Sequence, residues 1–263
     1  MVFDRIRFVL VAPSHPGNIG AAARAIKTMG FRRLVVVNPR VGRYRDHPDA
    51  MALATGAADV LAASDSCATL VDALGGVTTA YAMTGYDREF GPPMVDVRRA
   101  ALDAAAGFGL ANEGQIAFVF GTERDGLLNE DVERCQFSCA IPASADFSSM
   151  NLAHAVQVTA YECQLAVRGL ASVQSGQVRF ADTDAPAGVV ALESFFAHFE
   201  QAMIAIGYLD SREPKHLMAR LRRLFNRARL TQTELDVLRG ISAAIIESRR
   251  ERAGRKKSRL IIP

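Results

Sequence analysis

Between residue 5 and about residue 167 the chain alternates short apolar runs with alanine-rich or amphipathic stretches, and this alternation limits its possible folds more than any other feature. The runs at 5–12 (RIRFVLVA), 34–38 (LVVVN), Val77–Met83 and Gln115–Phe120 are short, bounded by turn residues, and apolar on both sides, as strands buried on two faces must be. Between them, residues 18–29 carry Ile19, Ala22, Ala23 and Ile26 on one helical stripe and end at Gly30, placed to take the left-handed C′ position. Further helices are expected near 47–63, 95–108 and 150–167. Strands alternating with helices predict an α/β fold, a parallel sheet with helices on both faces.

The pattern stops at 169–190 (GLASVQSGQVRFADTDAPAGVV), which lacks a helical stripe and reads as a linker. Beyond it every signal is helical. Phe195, Phe196, Phe199, Met203 and Ile206 recur at helical spacing, Pro214 is suited to open a second helix, and Thr231 with Glu234 forms a capping box for a third. The expected division is a catalytic body at 1–168, a linker at 169–190 and a small helical extension at 191–263.

Charge follows the same division. Residues 212–259 hold fifteen Lys and Arg against five acids, a local charge of +10 in a chain whose total is +3, so the remainder sums to −7. A basic module on an acidic body is the footprint of a polyanion binder. On the second helix of the extension Leu217, Leu221, Leu224 and Phe225 form the apolar stripe. Arg220, Arg222, Arg223 and Arg227 crowd the other faces, where guanidinium forks are suited to an RNA backbone.

With 49% hydrophobic and 22% charged residues the chain has the balance of an ordinary globular protein. No apolar run approaches the roughly 20 residues of a membrane span, and the first residues lead straight into a strand without a signal-peptide pattern, so a cytoplasmic location is expected. Cys67, Cys135, Cys139 and Cys163 show no CxxC pairing and match no zinc spacing even with His154, so they read as small buried hydrophobes and no metal is assigned. His15 beside Pro16 shapes a loop, and His154 reads as a structural histidine.

Three loops each follow a strand, where open parallel sheets place their ligands. The first, 14–20 (SHPGNIG), has Gly17 and Gly20 before a helix N-terminus, with Asn18 as its N-cap and Arg24 off the apolar stripe; it lacks both GxGxxG and GK[ST]. The second, 121–126 (GTERDG), has Glu123 between glycines that permit positive φ and close backbone approach. The third, 141–151 (IPASADFSSMN), puts Ser148 and Ser149 at a helix start and Asn151 in its first turn. Each alone is explained by turns and caps.

Their combination and order carry more. PGNIGAAARAIKTMGF, FGTERDGLLNEDVERC and IPASADFSSMNLAHAVQVTAYE resemble the three motifs of the TrmH-type branch of the SPOUT methyltransferases. FFAHFEQAMIAIGYLD and RLRRLFNRARLTQTELDVLRGI resemble the helical extension of those members that methylate ribose 32 of the tRNA anticodon loop. The resemblance spares only the linker and the basic tail. It implies a trefoil knot toward the C-terminal half of the sheet, a homodimer with its site at the subunit interface, and S-adenosylmethionine as methyl donor to a tRNA ribose 2′-hydroxyl. It places the cofactor against Met83, Thr84 and Gly85, then Gly121, Ile141, Ser148, Ser149 and Met150. Where this chain reads AMTGYD, family members often carry small polar residues at the positions of Met83 and Gly85, so backbone groups are expected to make those contacts. The resemblance also assigns the central catalytic role to Arg24, with Asn18, Glu123, Ser149 and Asn151 orienting it or the ribose. An arginine is a poor general base, so a charge clamp on phosphate and developing alkoxide is the preferred role.

Rival readings are 2′-O-methylation of another tRNA or rRNA site, a nucleotide-dependent α/β enzyme such as a dehydrogenase, and a non-catalytic RNA-binding protein. The missing dinucleotide fingerprint and acidic ribose anchor argue against the dehydrogenase.

Overall fold

A computed structural model describes residues 2–89, 91–106, 114–144, 146–173, 186–212 and 215–247. The apolar runs become the centre of the sheet: β1 (Ile6–Val11), β2 (Arg33–Val37), β4 (Val77–Met83) and β6 (Gln115–Phe120). Three shorter strands, β3 (Asp65–Cys67), β5 (Met94–Asp96) and β7 (Phe137–Ala140), complete it. Among the described residues the seven strands form one all-parallel sheet in the order β3-β2-β1-β6-β4-β7-β5.

Register explains how the sheet is filled. Phe8 pairs with Phe118, Phe118 with Tyr81 and Tyr81 with Phe137, so four strands present a ladder of stacked rings with centroids 6.2, 5.1 and 5.5 Å apart. Such pairs add to the burial of large apolar surfaces. Helices α1 (Pro16–Thr28), α2 (Pro48–Ala54), α3 (Ala58–Ala62), α5 (Val97–Ala106) and α7 (Leu152–Val173) cover this face. The opposite face carries smaller residues, including Val9, Val35, Ala80, Ala82 and Val119. It is covered by α4 (Leu70–Ala73), by Val132 of α6 (Asn129–Glu133) and by Val189 at the start of α8 (Val189–Ala205). Helices thus lie on both faces.

Local signals act as the sequence indicates in some places and differently in others. Gly30 has φ +86, and the amides of Gly30 and Phe31 close back onto the carbonyls of Lys27 and Ile26, the Schellman pattern. The helix expected at 47–63 is divided into α2 and α3 by a 3-10 turn at Thr55, whose φ of +44 no regular helix accommodates. Gly20 lies inside α1, where a Cβ would come within 2.0 Å of the Ala50 carbonyl oxygen. Its place in the sequence is set by close packing of α2 rather than by an anion. The segment read as a linker at 169–190 is helical at both ends, since α7 runs to Val173 and α8 begins at Val189; residues 174–185 lie outside the described residues.

In the extension, α9 (Leu217–Ala228) and α10 (Gln232–Ile246) pack on α8 around Phe195, Phe196, Phe199, Phe225 and Leu235. The capping box of Thr231 and Glu234 forms as expected, whereas Pro214 and the basic tail from 248 lie outside the described residues. Leu224, assigned to the apolar stripe, is exposed, and Asn226 takes an inward place instead. Its Nδ2 donates to the Cys135 carbonyl at 3.2 Å, and Arg229 lies 3.6 Å from Asp103 and over the Phe137 ring, which fastens α9 along the body.

Candidate active site

The loops leaving β4, β6 and β7 converge at the carboxyl edge of the sheet around a cavity of about 300 Å³, at the small end of the usual size for small-molecule sites. All eight positions to which the resemblance assigns cofactor contact line it: Met83, Thr84 and Gly85 after β4, Gly121 after β6, Ile141 after β7, and Ser148 to Met150 ahead of α7. Phe120, Leu127 and Leu152 add apolar surface, while Thr84, Ser148, Ser149 and backbone groups make the wall polar.

Glycine is required at two points of the second loop. A Cβ on Gly121 would stand 2.0 Å from the Gly126 carbonyl carbon, and Gly126 itself has φ +70. Between them Thr122 and Gly126 exchange backbone hydrogen bonds of 3.0 and 3.1 Å, closing a tight turn that projects Glu123 toward the first loop. Gly85 is open toward Ser148, whose Oγ would lie 3.8 Å from an added Cβ. A side chain there would narrow the cavity.

Glu123 is the centre of the polar framework. Its carboxylate accepts from the Ser14 amide (3.0 Å), the Ser14 hydroxyl (2.7 Å), the His15 amide (3.1 Å) and Asn18 Nδ2 (3.0 Å). Burial alone would raise its pKa, but the hydrogen bonds from Asn18 and Ser14 outweigh it and hold the carboxyl at about 2. Glu123 is therefore a fixed anion at neutral pH, a tie between two loops rather than a proton acceptor. Asn18 Oδ1 in turn accepts from Asn151 Nδ2 at 3.1 Å, bringing the third loop into the same network.

Two capping assignments are corrected here. Helix α1 begins at Pro16, so Asn18 lies within its first turn and binds other loops instead of capping. The cap of α7 is Asn151, whose Oδ1 accepts from the Ala153 amide at 2.9 Å; Ser148 and Ser149 precede it on the cavity wall. Asn18, Glu123 and Asn151 are thus joined directly, and Ser149 shares the cavity with Glu123. Arg24 is not brought to them. Six residues along α1 from Asn18, it points about a third of a turn away; it is exposed, and among the described residues its guanidinium makes one hydrogen bond, a 3.4 Å contact from Nη1 to Thr55 Oγ1.

The four arginines of α9 also divide. Arg222 forms a two-point pair with Glu193 at 2.5 and 3.0 Å and lies over the Phe196 ring, so it holds the bundle together and departs from the RNA-contact expectation. Arg223 Nη1 donates to the Glu89 carbonyl at 3.1 Å. Arg220 and Arg227 are exposed. Burial raises the thiol pKa of Cys135, Cys139 and Cys163, as suits the apolar reading, whereas His154 is exposed rather than structural. Ser14, Tyr86 and Arg88 were not legible as site residues; a lone serine before a histidine and an arginine in a loop carry no motif.

A parallel sheet whose three loops build one cavity beside a fixed carboxylate defines a class, and the family comparison agrees with it. Residues 5–161 match the SpoU rRNA Methylase family, to which the chain belongs. Residues 190–257 match the C-terminal domain of the tRNA methyltransferase TrmJ. The chain is 42% identical to the tRNA (cytidine/uridine/adenosine-2′-O-)-methyltransferase TrmJ of Pseudomonas aeruginosa, over 91% of this chain and 93% of that protein. It is also 42% identical to the tRNA (cytidine/uridine-2′-O-)-methyltransferase TrmJ of Escherichia coli K12, over 93% and 96%. The crystal structure of TrmJ from Zymomonas mobilis (Z. mobilis ZM4) superposes with a TM-score of 0.76 at 30% identity, covering 92% of this chain and 99% of that one.

Proposed function

We propose that this protein methylates ribose 2′-hydroxyls of tRNA, at cytidine or uridine 32 of the anticodon loop, using S-adenosylmethionine. The observation that carries the reading is the convergence of the loops after β4, β6 and β7 on one cavity with an apolar floor and a polar wall, within a chain 42% identical to TrmJ over nearly its whole length. The donor set suits a ligand with a flat apolar portion and polar ends, held by backbone groups at Met83 to Gly85, Gly121 and Ile141 and by hydroxyls at Ser148 and Ser149. When bound, S-adenosylmethionine supplies an electrophilic methyl on a sulfonium. The ribose oxygen would take that methyl as the S–CH3 bond breaks and the neutral thioether S-adenosylhomocysteine is left, and the hydroxyl proton would pass to solvent. Arg24 holds the neighbouring phosphate and stabilises the developing alkoxide by charge, while Glu123, Asn18 and Asn151 hold the loops in place.

Two copies of the chain complete the site in this reading, which accounts for the position of Arg24 away from the cavity of a single chain. Leu102 on α5 and Tyr161 and Leu165 on α7 are large exposed apolar residues on packed neighbouring helices, suited to a homodimer interface. The strand order, with β7 inserted between β4 and β5, is compatible with a trefoil knot at this edge of the sheet. Among the described residues no helix is long and apolar enough to cross a membrane, and a cytoplasmic location follows from the proposed substrate. Incubation with bulk tRNA and labelled cofactor, then nuclease digestion and mass spectrometry, is expected to yield 2′-O-methylated cytidine and uridine from position 32. Label on a base, or on rRNA alone, would overturn the reading.

A further inference from the structure

One side chain that lines the cavity ties two of its loops together. Arg88, in the loop after β4, reaches over to the rim formed after β6: Nη1 donates to Asn129 Oδ1 at 2.6 Å and Nη2 to the Leu127 carbonyl at 2.7 Å. Its guanidinium also lies 5.3 Å from the centre of the Tyr86 ring, and its Nε is buried without a hydrogen-bond partner among the described residues. Tyr86, Arg88 and Leu127 all line the cavity, so this fork ties one wall to the other. The peptide beside it is gripped from outside. Arg223 of α9 donates to the carbonyl of Glu89, the next residue, across 134 positions of sequence.

Arg223 makes no ion pair with a described carboxylate. Its charge and its remaining N–H groups stay available to a phosphate while one of them holds the loop. On the same helix Arg220 and Arg227 are exposed, and Asn226 and Arg229 fasten α9 to the body. The basic helix and the cavity mouth are therefore mechanically one unit.

We propose that Arg88 and Arg223 are positioning residues acting in series, Arg88 clasping the two rims of the cavity and Arg223 pinning the clasp from α9, so that RNA held on α9 tightens the hold on cofactor. The inference rests on the cofactor reading of the cavity. By linkage the coupling is reciprocal: cofactor strengthens RNA binding by the same factor.

The test is calorimetry with S-adenosylhomocysteine on the full chain, with and without tRNA. Loss of one hydrogen bond in the series is expected to raise the Kd of Arg223→Ala roughly three- to tenfold without RNA, and Arg223→Lys, which keeps a donor, should recover most of it. KM for the methyl donor should rise in Arg223→Ala with kcat less affected, and tRNA should no longer tighten cofactor binding. An unchanged Kd and an unchanged response to tRNA in Arg223→Ala would overturn the proposal, leaving Arg223 a plain RNA contact. If Arg223→Ala does not fold, Arg88→Lys, which loses the fork but keeps the charge, must show the same weakening or the proposal fails. A wild-type protein that binds no S-adenosylhomocysteine at all would overturn the cofactor reading itself, a result distinct from binding that is merely insensitive to position 223.

Discussion

The first turn of helix α1 and the exposed side of its second half meet the rest of the molecule in opposite ways. Its first turn is locked: Asn18 is held between Glu123 and Asn151, and the residues leading into it donate to the same carboxylate. Six residues further on, the Arg24 side chain is exposed, and among the described residues its guanidinium makes a single hydrogen bond, of 3.4 Å. One chain builds its loop framework completely in advance, while Arg24, the cation proposed to serve the acceptor, is not held by that framework. Preorganisation is thus concentrated where the loops must keep a cavity in shape, and freedom where a long, charged substrate must be fitted.

The largest effect that would break this contrast lies on its exposed side. Arg24→Ala is expected to lower methyl transfer by at least about a hundredfold, the usual cost of removing a charge-stabilising group, while S-adenosylhomocysteine binds as in the wild type. Turnover with tRNA and calorimetry without it measure the two separately. Loss of cofactor binding in the same variant would show that Arg24 and the first turn of α1 are not independent. Intact turnover would remove Arg24 from the reaction.

A smaller effect is expected at the locked end. Glu123→Gln keeps the shape but replaces one of two acceptor oxygens with an NH2 donor that faces other donors, and should cost about 1–3 kcal/mol of stability near neutral pH. The pH dependence follows from the sign of the shift. The folded carboxyl titrates at about 2 and the ordinary one at 4.5, so its contribution is full above 4.5 and is lost as pH falls from 4.5 toward 2. Urea unfolding should show wild type and Glu123→Gln converging over that interval, and the methyl-transfer rate should show no titration assignable to Glu123 near neutrality. Equal stability of the two proteins at pH 7 would mean that the framework does not depend on this anion.

The contrast was only partly legible in the sequence, for physical reasons. β4 and β6 could be bounded to the residue because both faces of their central positions are buried, so apolar residues dominate, Thr78, Thr79 and Gln115 being partly buried exceptions. β3, β5 and β7 have three or four residues each, and β3 exposes Asp65 and Ser66, too few and too polar to show any period. Glu123 and Ser14 are 109 positions apart, and nothing in either loop announces the other. The cofactor positions came from resemblance alone, whereas Gly30, Gly121 and Gly126 were readable from backbone chemistry. On α9, periodicity put four arginines off the apolar stripe without distinguishing them, because the partners that divide them, Glu193 and the Glu89 carbonyl, lie on other elements.

That division repeats the α1 contrast on the basic helix and supplies its smallest test. Arg222 is about one-fifth exposed and doubly paired with Glu193 over Phe196, so Arg222→Ala should act through the bundle. Removing one partner leaves a half-buried carboxylate and an uncovered ring, which should lower the thermal midpoint of the protein. The Arg227 side chain is exposed and makes no hydrogen bond or ion pair with a described residue, so Arg227→Ala should leave the midpoint unchanged. It should instead reduce the slope of log Kd for tRNA against log salt by about one, the share of a single phosphate contact. Filter binding across a salt series with both variants separates the roles. If Arg222→Ala flattened the slope and Arg227→Ala did not, the arginine locked into the protein would be the one that meets RNA, and the rule that locked groups shape the enzyme while open ones meet the substrate would fail on α9.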